Sequence, residues 1–400
     1  MYRSIATGLA AALVAFGLIT QAQAGWNSQR SKAADALLAQ NITSKAPTIS
    51  ACVAIDGNVV YANAVGNIAP GVPATAQTIY RIGSLSKQFT AAGILALIED
   101  GAVVPSNQSK FGLDDNLSFF FNGLDPSWLG GSFPPETVRR LLNMRSNLPQ
   151  YTDQPPPGLD PGKAVDAGAL LNGIVGSIKP TGVPLQYQYS NTNYFLLASI
   201  IDVLTNANAN SKSRKQQTGP VPFHMNADYR AYLRKRIFAR AGLTATNFID
   251  DPAPLGAIAP PVDGQWFSLP SWPKGAGAIQ SNVLDLCAWD KALMGGKVIS
   301  PASVATMGTA PNGQTYAMGW WRTQNPTYLE YQHNGFIFGY TAQTIIDFFN
   351  YLGKTHTVFV NVLTNGDQMN LYPSANTLAQ SAMKPALPTP LPIPVPPSRY

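Results

Sequence analysis

Charge is what this sequence has least of. Asp, Glu, Lys and Arg make up 12% of the 400 residues, about half the share usual in soluble chains. The formal net charge of +6 is spread too thinly to hold a phosphate backbone, so no nucleic acid partner is expected. The basic stretches at 211–215 and 230–240 read as a solvated loop and the outer face of a helix. Histidine is scarcer still. The three histidines (His224, His333, His356) show no HExxH spacing and no cysteine cluster beside them, so neither a metal nor a cofactor is expected. Two cysteines, Cys52 and Cys287, are too few for a disulfide scaffold and are either bridged or both free.

A spanning apolar run is also missing. The longest, Ile5 to Ile19, falls short of the roughly 20 residues that a membrane helix needs. It lies within residues 1–24, which carry one positive residue, Arg3, and a small-x-small ending at Ala22 and Ala24. That pattern predicts an export signal cleaved before Gly25, with the mature protein in the periplasm or outside the cell and without a transmembrane segment.

Glycine (34) and proline (33) are plentiful and predict many loops. Residues 48–66 alternate apolar and polar side chains around Asp56-Gly57, the pattern of a hairpin. A helix is predicted from about Ser84 to Asp100, then helical stretches at 135–144, 194–204 and 228–242 separated by Pro- and Gly-rich loops. A helix near 282–293 precedes β-type runs at 316–323, 341–349 and 356–364 and a short final helix. Seven prolines between Pro385 and Pro397 predict a polyproline-like tail over 385–400. Strands at both ends with helices between predict an α/β (α+β) fold: an antiparallel sheet flanked by helices, with an inserted, mostly helical domain. The expected division is 25–104 with 282–384 for the sheet domain and 105–281 for the insertion.

Chemistry enters at "YRIGSLSKQF", residues 80–89. Ser-x-x-Lys occurs at Ser84–Lys87, Ser271–Lys274 and Ser381–Lys384. Pro273 disrupts the second and the third borders the Pro-rich tail, so only the first opens a long helix. There Ser84 and Lys87 share a face, continued by Ala91, Ile94 and Leu95, while Phe89 and Leu97 make other sides apolar. A helix apolar nearly all round is buried. Burial lowers a lysine pKa, and a fall of about three units, roughly 4 kcal/mol, is what a base near neutral pH requires. The helix N-terminus also favours negative charge at Ser84. By itself the stretch fits a nucleophile beside its base or an N-cap serine equally well.

Two further motifs bear on that choice. Tyr189-Ser190-Asn191 directly precedes a helix, and His333-Asn334-Gly335 ends a strand-like run with a glycine where a backbone can approach a ligand. No Gly-x-Ser-x-Gly elbow is present for a Ser-His-Asp triad.

The order Ser-x-x-Lys, Tyr-x-Asn, His-x-Gly resembles that of serine hydrolases related to class C β-lactamases, D-Ala-D-Ala carboxypeptidases, D-aminopeptidases and β-lactamase-like esterases, a β-lactamase/transpeptidase-like family. The likeness extends over most of residues 47–368, including 137–151, 275–293 and 316–321. It implies that Ser84 is the nucleophile, that Lys87 and Tyr189 share proton transfer, and that Asn191 holds Lys87 or the substrate. It further implies an oxyanion hole from the backbone N–H groups of Ser84 and Phe336, with His333 and Gly335 beside the substrate. Two departures stand out. Met144 and Asn147 replace the usual His and Gly of the 137–151 segment. His333 replaces a usual Lys, exchanging a fixed cation for a group mostly neutral at pH 7, which favours esters or less charged amides over β-lactams and D-Ala-D-Ala ends. Residues 206–226 resemble an insertion. The expected partner is a small-molecule or peptide substrate with an ester or amide bond; a binding or sensing protein that turns over nothing is the alternative.

Overall fold

The computed structural model describes residues 26–209, 227–252, 258–262 and 271–383. The expected export signal, residues 210–226 of the expected insertion, His224, Lys384 and the Pro-rich tail lie outside the described residues.

The predicted hairpin forms from β1 (Thr48–Ile55) and β2 (Asn58–Ala69), turned at Asp56 and Gly57 with φ of 50° and 72°. Beside β1 lies β10 (Lys354–Thr364), then β9 (Tyr340–Tyr351), β8 (Tyr328–Ile337) and β7 (Trp321–Gln324), while β3 (Val72–Pro73) extends the other edge. All seven strands of this sheet pair antiparallel. Both faces of the sheet are covered at its centre: β1 is buried from Thr48 to Ala54 and β10 from Val358 to Thr364, so the alternation expected over 48–66 does not mark one buried and one solvated face in β1. Ile49, Ala51, Val53, Val358, Val360 and Val362 face one core, with the Ser28–Gln40 and Tyr372–Met383 helices. Cys52, Ala54, Phe359 and Leu363 face the other. Each fully buried Val or Leu there stabilises by about 1.5–3 kcal/mol.

A second sheet of three short strands, β4 (Tyr80–Arg81), β6 (Ile279–Ser281) and β5 (Asn247–Phe248), joins chain segments remote in sequence. It brings the Ser84 turn against the segment that follows Lys274. Residues 105–281 carry the helices Val138–Leu142, Ala167–Ser177 and Asn191–Ala209, and a helical run from Ala227 to Ala241 whose middle, Leu233–Phe238, is π-helical. They also contribute β5 and β6, and the domain division at 104/105 and 281/282 remains a proposal.

Two local expectations shift and one open question closes. The α-helix begins at Ser86, two residues after Ser84, because a 3-10 turn over Gly83–Leu85 precedes it. Of the expected 316–323 strand only residues 321–323 are strand, within β7 (Trp321–Gln324), since the residues before it turn to bury Tyr316 and Trp320 in the core. The open question of the cysteines closes: Cys52 on β1 and Cys287 on the Val283–Met294 helix form a disulfide with Cα atoms 6.5 Å apart. It staples the sheet to the helix on its face.

Candidate active site

Ser84 owes its position to the 3-10 turn. Ile82 N–H donates to the Ile279 carbonyl at 3.0 Å, and Ser86 Oγ accepts from Ile279 N–H at 3.2 Å, so the small sheet holds the turn from both sides. No side chain caps the helix, which removes the capping role for Ser84. Its hydroxyl instead meets two functional groups: Lys87 Nζ at 2.8 Å and Tyr189 Oη at 2.8 Å.

Lys87 is fully buried. Its Nζ also lies 2.8 Å from Asn191 Oδ1 and 3.0 Å from the Ala276 carbonyl oxygen, with the Tyr189 ring centroid at 4.8 Å. Desolvation pushes its pKa well below the usual lysine value. A neutral amine has two N–H groups and one lone pair. Asn191 and Ala276 offer only acceptors, so the lone pair is left for the hydroxyl proton of Ser84. The surroundings thus aim the lone pair of a neutral Lys87 at Ser84 Oγ.

The amide of Asn191 is itself held. Its Nδ2 donates to Gln150 Oε1 at 2.7 Å and its backbone N–H to the same oxygen at 3.1 Å, which fixes Oδ1 toward Lys87. Gln150 stands on a loop whose two departures are accommodated. Asn147 has φ 57°, a left-handed conformation that Asn tolerates better than most non-glycine residues, and its Oδ1 accepts from Leu185 N–H at 3.1 Å. Met144, at φ 55°, presents its thioether to Ser190 N–H at 3.5 Å and Asn193 Nδ2 at 3.1 Å, and so secures the Tyr189-Ser190-Asn191 corner.

β8 closes the other side. Gly335 runs so near the Ser84 turn that a Cβ there would lie 2.0 Å from the Ile82 carbonyl oxygen and 3.0 Å from Ser84 N. Only glycine permits this approach. Phe336, the next residue, lines a cavity of about 500 Å³ together with Ser84, Asn191, Ala276, Trp272 and Asp367.

His333 is brought beside Tyr189 but not into that cavity. It is fully buried, packed against Trp321 at 4.5 Å between ring centroids and Tyr189 at 6.2 Å. Nδ1 faces the Asn334 carbonyl oxygen, which can only accept, so Nδ1 carries the proton and Nε2 accepts from Tyr316 Oη at 3.2 Å. Desolvation, with Lys87 nearby, lowers its pKa to about 3. It is a neutral side chain that packs behind Tyr189.

The structure therefore gathers Ser84, Lys87, Tyr189 and Asn191 by hydrogen bonds and sets Gly335 and Phe336 against them. Two participants escaped the sequence reading. Gln150 lay inside the 137–151 segment without a motif of its own, and Ala276 acts through a backbone carbonyl that its side chain does not announce.

With this geometry in place, comparison with known proteins is informative. A family model described as Beta-lactamase matches residues 32–383. Penicillin-binding protein 4* of Bacillus subtilis (strain 168) is 29% identical over 287 residues, 68% of this chain and 58% of the relative. A second penicillin-binding protein of that organism is 24% identical over 300 residues, 72% of this chain and 63% of the relative. The chain thus spans about three fifths of the length of these curated relatives. Among solved structures, D-amino acid amidase from Ochrobactrum anthropi SV3 superposes with a TM-score of 0.65 at 22% identity, over 89% of this chain and 98% of that one. The octameric penicillin-binding protein homologue from Pyrococcus abyssi gives 0.61 at 23%, over 90% and 79%. These two likenesses concern the fold.

Proposed function

The chain belongs to the beta-lactamase family of serine hydrolases, and from that premise we propose that it is an exported enzyme that cleaves ester or amide bonds through an acyl-enzyme on Ser84. One observation carries the reading: Ser84 Oγ lies 2.8 Å from a fully buried lysine amine and 2.8 Å from the Tyr189 phenol. Lys87 takes the hydroxyl proton as Oγ attacks the carbonyl carbon. The oxyanion forms beside the backbone N–H groups of Ser84 and Phe336. Lys87 and Tyr189, both within hydrogen-bond reach of Ser84 Oγ, return a proton to the leaving group, and water then cleaves the acyl-enzyme along the same path in reverse. The 24-residue leader pattern supports export.

The cavity favours an ester or a neutral amide. Among the described residues that line it, Asp367 is charged and none is a lysine or arginine, and His333 is neutral and buried behind Tyr189. A substrate carboxylate therefore meets no fixed cation among the described lining residues. A second reading rests on Asp367 itself, whose carboxylate complements an ammonium group, as in an amide of an unblocked amino acid.

The test compares kcat/KM for p-nitrophenyl butyrate, nitrocefin, a D-Ala-D-Ala peptide and an amino-acid p-nitroanilide with a free amine. The ester is expected to lead. A dominant nitrocefin or D-Ala-D-Ala rate overturns the preference. A dominant anilide establishes the second reading, and permanent acylation without turnover points to a sensor.

A further inference from the structure

The second Ser-x-x-Lys match, set aside for its proline, contains the most deeply buried ion pair among the described residues. Lys274 is fully buried and its Nζ donates to the Asp202 carboxylate, whose side chain is 3% exposed; Ser199 Oγ lies 3.3 Å from the same amine. Asp202 also accepts from Tyr229 N–H at 2.6 Å. Tyr229 Oη lies 2.9 Å from Thr90 Oγ1, which donates to the Gly275 carbonyl oxygen at 2.8 Å. Thr90 stands three residues after Lys87 on one helix face. Successive carbonyls, those of Gly275 and Ala276, therefore rest on successive positions of that face, the second on Lys87 Nζ at 3.0 Å.

We infer that Lys274 is a positioning residue for the base: its pair with Asp202 locks the 271–277 loop so that the Ala276 carbonyl stays on Lys87 while Trp272 and Pro273 form the wall of the cavity. This rests on the reading of Ser84 as nucleophile. Stability alone is a poor reason for such a pair, because desolvating two charges offsets much of their attraction and an apolar pair of similar volume often serves as well. Geometry is a better one. The loop must approach the Asn191–Ala209 helix so closely that a Cβ on Gly275 would lie 2.2 Å from the Tyr194 carbonyl oxygen, and the lysine beside it ties the loop to that same helix one turn or more further on. With the pair intact, Lys87 keeps two fixed acceptors and aims its lone pair at Ser84. With the loop released, one acceptor moves and the amine turns.

The test uses two variants, Lys274→Met/Asp202→Asn, which removes both charges while keeping an acceptor for Tyr229, and Thr90→Val, which cuts the Gly275 anchor without touching a charge. Folding is checked by thermal unfolding, and acylation of Ser84 by p-nitrophenyl butyrate is followed against pH. Each folded variant is expected to acylate about 10- to 100-fold more slowly at the plateau, with the acidic limb displaced from that of the wild type and KM little changed. A purely structural role lowers Tm but leaves rate and limb in place. Variants that keep the wild-type rate and limb within about twofold, on a wild type that is acylated, overturn the inference alone. A wild type that carries no acyl group on Ser84 overturns the reading of the site and the inference with it.

Discussion

Lys87 Nζ and Ser84 Oγ lie 2.8 Å apart at the start of one helix, with the amine fully buried and the hydroxyl open to the cavity. From this pair follows the pH dependence expected of the proposed acylation. Lys87 has a pKa lowered from the lysine value by desolvation, so acylation should rise as pH passes upward through that depressed pKa and reach its plateau well below pH 10. His333, already neutral above about pH 3, should contribute no limb between pH 5 and 8. The check is kcat/KM against pH for wild type and His333→Gln: the two profiles should share their limb positions. Lys87→Arg, which cannot become neutral in this range, should lose about a thousandfold or more.

Gln150 holds Asn191 through two bonds to one oxygen. Replacing it with Leu frees the Asn191 amide to turn, and a donor then faces Lys87 in part of the population. The expected cost in kcat is about 10- to 100-fold. Gln150→Glu keeps the acceptor oxygen and should retain more activity than Gln150→Leu; equal losses would contradict the account.

The Cys52–Cys287 bridge closes a loop of 235 residues. Loop-closure arguments assign a bridge of that span a few kcal/mol, typically 2–4 measured. Thermal unfolding with and without reductant, and of Cys52→Ser/Cys287→Ser, should show a lower Tm in both cases. An unchanged Tm would show that the helix packs on the sheet without needing the bond.

Glu330 and Asp347 face each other as neighbours on β8 and β9, both nearly inaccessible. Tyr372 Oη donates to Glu330 at 3.1 Å, while Asp347 Oδ1 makes no hydrogen bond. Desolvation pushes Glu330 up to about 7 and Asp347 well above its usual range. A carboxyl protonated when folded and ionised when unfolded stabilises the fold below its unfolded pKa. That contribution is lost as pH rises through the folded value. Stability should therefore decline from about pH 4.5 to 7, and Glu330→Gln should narrow the Tm difference between pH 5 and pH 8. An equally steep pH dependence in the variant would contradict it.

Much of this site could be read from the chain because its chemistry demands residue types at fixed spacing. Helix spacing and an apolar stripe put Ser84 and Lys87 on one buried face but left nucleophile and N-cap equal. It was the order of Ser84–Lys87, Tyr189–Asn191 and His333–Gly335, as a family resemblance, that favoured the nucleophile. What escaped depends on three-dimensional approach. The Ala276 carbonyl has no side-chain signature, and Lys274, set aside because Pro273 disrupts its Ser-x-x-Lys match, has a partner, Asp202, 72 residues away that no local pattern announces. Asn147 could be recognised as a departure from glycine, but its left-handed backbone appears only in the fold. The strands of the sheet were legible from the turn at Asp56-Gly57 between two strand-like runs and from the β-branched and aromatic residues of 341–349 and 356–364. The pairing of Cys52 with Cys287 was not, since it depends on which face of the helix meets β1.

The central claim is that Ser84 carries the acyl group. Intact-mass analysis after incubation with a fluorophosphonate should show one adduct on the wild type, mapped to the peptide containing Ser84, and none on Ser84→Ala. A folded wild type without adduct, or equal labelling of Ser84→Ala, would contradict it.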